Sequence, residues 1–161
     1  MRNRGIPGHR LDHNVPSSTY KNKAVSGDGA RLFGGRWNSK GMAVVYTAGS
    51  LALASIEMVV NLPSPKLLES FVRISAYFDA DRVDSLPPDQ YPRNWQHRPI
   101  SPETKAIGDR WIKQRRSLVL KVPGVVVPEE FNYLINPTHP DFAKIEIGRT
   151  VVYHLDSRFA K

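Results

Sequence analysis

The chain has 161 residues, with 23 Lys+Arg against 15 Asp+Glu, a formal net charge of +8 and no cysteine. That length fits one domain with a self-sufficient core, and a chain 40% hydrophobic and 24% charged is not of disordered composition. The absence of cysteine excludes disulfides, a thiol nucleophile and any Cys-ligated metal site.

Residues 1–30 read as polar and loop-rich, punctuated by Pro7, Pro16, Gly27 and Gly29. The basic residues near the N-terminus are followed by no apolar segment, so no secretory signal is expected. Nor does any apolar run approach the ~20 residues that span a bilayer, and a soluble cytoplasmic protein is expected. Gly34-Gly35-Arg36-Trp37-Asn38 is a turn, and Met42 to Thr47 is a buried strand. Ser50 caps a helix over 51–61, which Pro63 and Pro65 terminate. The alternation in Glu69–Phe78 predicts a strand with one apolar face, and the Pro-rich stretch 79–102 is expected to be irregular. Ser101 and Pro102 open a helix that runs to Gln114. Strands are expected at 117–122, at 145–155 and starting within 124–127, with 132–137 leading into a turn. The pattern is α+β, without repeats and without regular βαβ alternation.

No GxGxxG fingerprint, P-loop, HExxH or GxSxG is present. His9 and His13 lack a third ligand and read as surface residues, so no metal is expected. The densest basic run is Lys113-Gln114-Arg115-Arg116, and the other cations are scattered, which favours a solvated basic surface over a nucleic-acid footprint. Glu57 sits in the apolar run 51–60. Either it is buried and needs partners, or it shares with Ser55 a narrow solvent-facing strip. Arg36, beside two glycines, suits bidentate capture of a phosphate or carboxylate, or else a salt bridge at the turn, Glu57 included. Tyr46 offers a stacking face and a hydroxyl, or is simply core. Ser117 opens a strand and by itself implies nothing.

Three stretches taken together, Ser26–Asn38, Val44–Ala48 and Ala52–Glu57, resemble RES-domain proteins, a family named for its Arg, Glu and Ser. Ile107–Trp111, Ser117–Pro123 and Asn132–Pro140 extend the likeness, so residues 1–161 read as one RES domain with a core at about 10–155. The resemblance implies an ADP-ribosyltransferase-like mixed β core flanked by a few helices. It implies the toxin of a bacterial toxin–antitoxin pair that depletes NAD by cleaving the nicotinamide–ribose bond, with water or inorganic phosphate as acceptor. Glu57, Arg36, Tyr46 and Ser117 then form the catalytic set. Glu57 stabilises the oxocarbenium-like state, Tyr46 stacks on nicotinamide, and Ser117 bonds a phosphate or the carboxylate. Arg36, Tyr46, Arg10, Arg31 and Asn136 form the NAD and phosphate site. NAD is a substrate and no cofactor is expected. The implied partner is an antitoxin with an Xre-like helical domain, through which any DNA contact would run. An ADP-ribosyltransferase acting on a protein, or a basic nucleic-acid-binding module, are the alternatives.

Overall fold

The computed structural model describes residues 6–13, 24–61 and 71–160. Among these, eight strands form one mixed sheet: β1 (Ile6–His13), β2 (Val45–Ala48), β3 (Phe71–Phe78), β4 (Val83–Ser85), β5 (Val119–Pro123), β6 (Phe131–Ile135), β7 (Glu146–Ile147) and β8 (Val151–Tyr153). Three α-helices accompany them: α1 (Asp28–Phe33), α2 (Leu51–Val59) and α3 (Pro102–Gln114). The order across the sheet is β4-β5-β6-β2-β1-β3-β7, with β8 also pairing β3. Every pairing is antiparallel except β4 with β5.

Both faces of the central strands are covered, and this explains their unbroken apolar runs. Successive residues point to opposite faces of a sheet. Leu120, Val122 and Leu134 accordingly pack with Trp37, Trp95, Trp111 and Ile112, while Val119 and Ile135 pack with Val45, Ala76, Phe78 and Leu118.

The helix ends follow their capping residues. The Ser50 hydroxyl accepts from the Leu53 N–H at 3.0 Å and opens α2, a cap worth about 1 kcal/mol. Ser101 does the same for α3, with Pro102 in the first turn, as the sequence predicts. Pro63 and Pro65 lie outside the described residues. Gly108 is where α3 meets the rest of the fold, because a Cβ there would lie 1.6 Å from the Trp37 carbonyl oxygen. Only glycine permits that approach.

Several expectations are corrected. Ile6–His13 is a strand, because β3 offers it a partner at every residue from Ile6↔Phe78 to His13↔Phe71. His9 and His13 therefore stand in a strand rather than a loop. Helix α1 stands where the sequence reads as loop: it is six residues long and has no buried residue, hence no hydrophobic periodicity. The Pro-rich stretch contains β4, paired in parallel with β5. Residues 124–127 bend and lead into a turn at 128–129, 131–135 are a strand, and the C-terminal strand is split into β7 and β8. No helix among the described residues is long and apolar enough to cross a membrane. No group of three His, Asp or Glu among them could hold a metal ion.

Candidate active site

A cleft of about 510 Å³ opens between α1, the loop 34–37, the start of β2, α2 and the turn after β5. Arg36, Tyr46, Glu57, Asn61, Arg98 and Asn132 supply its polar groups. Glu57 is brought to it by α2, which buries Leu53, Ala54 and Ser55 and leaves Glu57 half-buried in its last turn. Ser55 is not on a wet strip. Its hydroxyl bonds the Leu51 carbonyl at 2.7 Å and meets the Tyr153 hydroxyl at 2.9 Å.

The Glu57 carboxylate is held from the sheet side. Asn132 on β6 donates its Nδ2 amide to both carboxylate oxygens, each at 2.9 Å, and the Val125 N–H donates to Oε1 at 3.0 Å. Bonds to an ionised acceptor are about twice as strong as neutral ones, so these fix the orientation of the group. Asn132 carries no role in the sequence reading. The signal that would have found it is the β2–β6 register, which sets Asn132 opposite Ala48, two residues before the Ser50 cap of α2.

Arg36 does not pair with Glu57. Its Nη1 donates to the Trp95 and His97 carbonyls, the second at 3.3 Å. Burial is the largest influence on this guanidinium and the neighbouring Arg98 charge the next; both pull its pKa below the ordinary value, against Glu57 and Tyr46. The loop that carries Arg36 is shaped by Asn38, which is fully buried. The Asn38 amide donates to the carbonyls of Ala30, Ser39 and Met42, and its Oδ1 accepts the Tyr46 hydroxyl proton at 2.7 Å. The Trp37 N–H donates back to that hydroxyl at 3.0 Å. Gly35 must be glycine here, since a Cβ would lie 2.5 Å from the Tyr46 oxygen.

Tyr46 is therefore neither pure core nor free: its ring lines the cleft while its hydroxyl is locked. Burial, the largest influence, raises its pKa well above the ordinary tyrosine value, outweighing the lowering by the Trp37 N–H bond. It is a neutral hydroxyl at physiological pH.

Other expected site residues lie elsewhere. Ser117 is outside the cleft: it accepts from Trp111 Nε1 at 2.8 Å and donates to the Val119 carbonyl at 3.0 Å. The serine joins α3 to β5, and the expected contact with phosphate or carboxylate gives way to that role. Asn136 is likewise buried and committed, donating to the Ile112 carbonyl and accepting from the Thr138 N–H and hydroxyl. Arg31 pairs with Asp28 at 3.0 Å and faces a separate shallow groove. Arg10 belongs to β1, opposite Ile74, and its side chain lies outside the described residues.

Comparisons with known proteins identify the family to which the chain belongs. The RES domain family model matches residues 9–156. A "Toxin Res" from Photorhabdus laumondii is 35% identical over 150 residues, covering 92% of this chain and 96% of the relative. A "Prs ADP-ribosylating toxin" from a Sphingobium strain is 36% identical over 146 residues, covering 89% and 91%. In fold, the chain is similar to one in the crystal structure of the M. tuberculosis MbcT–MbcA toxin–antitoxin complex. There the TM-score is 0.70 at 17% identity, over 94% of this chain and 85% of that one. With a family match across nearly its whole length, on a single mixed sheet, the chain belongs to the RES-domain family of toxins.

Proposed function

We propose that the chain is the toxin of a toxin–antitoxin pair and cleaves the nicotinamide–ribose bond of NAD in the cleft that holds Glu57. The observation that carries the reading is the constellation itself. An oriented carboxylate, a guanidinium and an aromatic ring converge on one cavity of about 510 Å³. That volume falls in the range of small-molecule sites.

The chemistry follows from the residue types. As the C1′–N bond breaks, its electron pair passes to the pyridinium nitrogen and nicotinamide leaves neutral. Positive charge grows on the ribose. Glu57, already held by Asn132 and Val125, stabilises that charge without reorganising. Tyr46 presents a ring for the nicotinamide to stack on, and its fixed hydroxyl keeps that ring in one orientation. Arg36 takes the pyrophosphate that joins the two nucleosides of the dinucleotide. Water attacking C1′ gives ADP-ribose and a proton; inorganic phosphate gives ADP-ribose 1″-phosphate. No step calls on a cofactor.

The Sphingobium relative's name supports a second reading, transfer of ADP-ribose to a protein side chain. The two share bond cleavage and differ in the acceptor. Purified protein incubated with NAD, with and without phosphate, tests the reading by chromatography of the products. Nicotinamide with free ADP-ribose or its phosphate supports hydrolysis or phosphorolysis. Nicotinamide released only with a target protein that gains mass supports transfer. An absence of nicotinamide release under all these conditions overturns both. The solved toxin–antitoxin complex of similar fold supports an antitoxin as the partner; the surface we propose that it covers is the cleft, where a basic pocket suits an acidic segment. Co-expression with the neighbouring open reading frame should restore growth, and a complex with undiminished NAD turnover would contradict coverage of the cleft.

A further inference from the structure

The mouth of the cleft holds a cation to which the sequence reading gives no role. Arg98 lines the same cavity as Arg36 and is exposed. Among the described residues neither guanidinium has a carboxylate within 4 Å; the ion pairs there engage Arg31, Arg82, Arg116, Lys144 and Arg158 instead. Arg98 donates one bond within the protein, from Nη2 to the Asn61 side-chain oxygen at 2.6 Å. A guanidinium carries five N–H donors, so most of its capacity is directed outward.

Both cations are positioned by one loop. Arg36 is tied to the carbonyls of Trp95 and His97, and Arg98 is the next residue along. The loop is itself anchored by Trp95, which is buried and stacked on Trp37, the neighbour of Arg36, with ring centroids 6.1 Å apart. A second tether runs to the other wall. The Asn61 amide that accepts from Arg98 donates to the Glu57 carbonyl at 2.7 Å. Two guanidiniums are thus held toward one cavity, without an acidic partner, at positions fixed relative to the helix that bears Glu57. Like charges brought together in this way are stabilised by an anion between them.

We propose that Arg98 is a second phosphate-binding residue of the cleft, and that Arg36 and Arg98 together form a two-cation site that selects a diphosphate ester over a monophosphate. This deepens the NAD reading and rests on it only for the identity of the diphosphate. Two adjacent phosphoryl groups give each fork its own oxygens, whereas one phosphoryl group cannot satisfy both.

The probe is ADP, which contains the diphosphate but no nicotinamide bond to cleave. Calorimetric titration into the full-length wild type, Arg98→Ala and Arg98→Lys, with AMP as the control ligand, tests the assignment. Arg98→Ala should weaken ADP about tenfold or more and AMP by less than about threefold, with Arg98→Lys between. The ADP deficit should shrink at 1 M salt, because the site is open to solvent. Asn61→Asp, which places a carboxylate beside Arg98, should weaken ADP as well. Equal ADP affinity in wild type and Arg98→Ala overturns the proposal. So does a wild type that fails to bind millimolar ADP, or an equal loss of ADP and AMP. A wild type that binds ADP through Arg98 yet releases no nicotinamide from NAD supports this assignment and overturns the NAD reading.

Discussion

Two regions of the molecule carry polar residues from the same set of sequence motifs, and they use them in opposite ways. In the cleft, Arg36, Tyr46 and Glu57 are held by neighbours but keep a face toward an open cavity. At the junction of α3, β5 and β6, Ser117 and Asn136 are buried and their side-chain hydrogen bonds close on other groups of the protein. One region is organised to meet something from outside, and the other holds a helix onto a sheet. Residue type and spacing look alike in both; spare hydrogen-bonding capacity facing a cavity separates them.

The sharpest way to break that contrast is to remove charge from the cleft and leave shape. Glu57→Gln should lower kcat for nicotinamide release by about 100-fold or more, with the melting temperature little changed. Next comes the junction. Asn136→Ala leaves the Ile112 carbonyl and the Thr138 N–H without their partner, and should cost about 2–3 kcal/mol in denaturant unfolding while turnover per folded molecule is kept. Arg36→Ala should raise KM for NAD about tenfold through lost phosphate contacts, read by steady-state kinetics. Ser117→Ala should cost about 1–2 kcal/mol by orphaning the Trp111 indole N–H, again without a change in KM. If Ser117→Ala instead abolished turnover in a stable protein, the division between the two regions would be wrong.

The smallest effect is in pH. Folding raises the Tyr46 pKa above its ordinary 10.0, chiefly by burial, so the folded state keeps this proton to higher pH than the unfolded chain does. The stability associated with it is fully present below pH 10 and falls as pH rises beyond that value. Tyr46→Phe should flatten part of that fall. Burial also raises Tyr91 and Tyr133, and their share of the slope should remain.

How far the sequence reaches depends on where its signals are local. Ser50, and Ser101 with Pro102, mark helix starts through bonds within one turn, and the reading finds both helices. The alternation of Phe71–Phe78 likewise reports one strand seen from its own residues. By contrast, β1 contains Pro7 and Gly8, which locally signal a break, and it is a strand because β3 pairs with its entire length. Helix α1 is bracketed by Gly27 and Gly34 and buries nothing, so it leaves no hydrophobic period. The site follows the same rule. Glu57, Arg36, Tyr46 and Asn132 all stand within stretches that resemble the family, but the bond that brings Asn132 to Glu57 spans 75 residues, and Arg98 is tied to Asn61 across 37. Ser117 and Asn136 sit in the resembling stretches too, and nothing in their local sequence tells that their hydrogen bonds close inside the core.

The most direct test of the central claim is nicotinamide release from NAD by wild type and Glu57→Gln side by side, with folding of both verified by circular dichroism. Release by the wild type and a fall of about 100-fold or more in the variant, with both proteins folded, is the expected result. Equal release by the two folded proteins would contradict a catalytic role for Glu57 and return it to an ordinary helix residue.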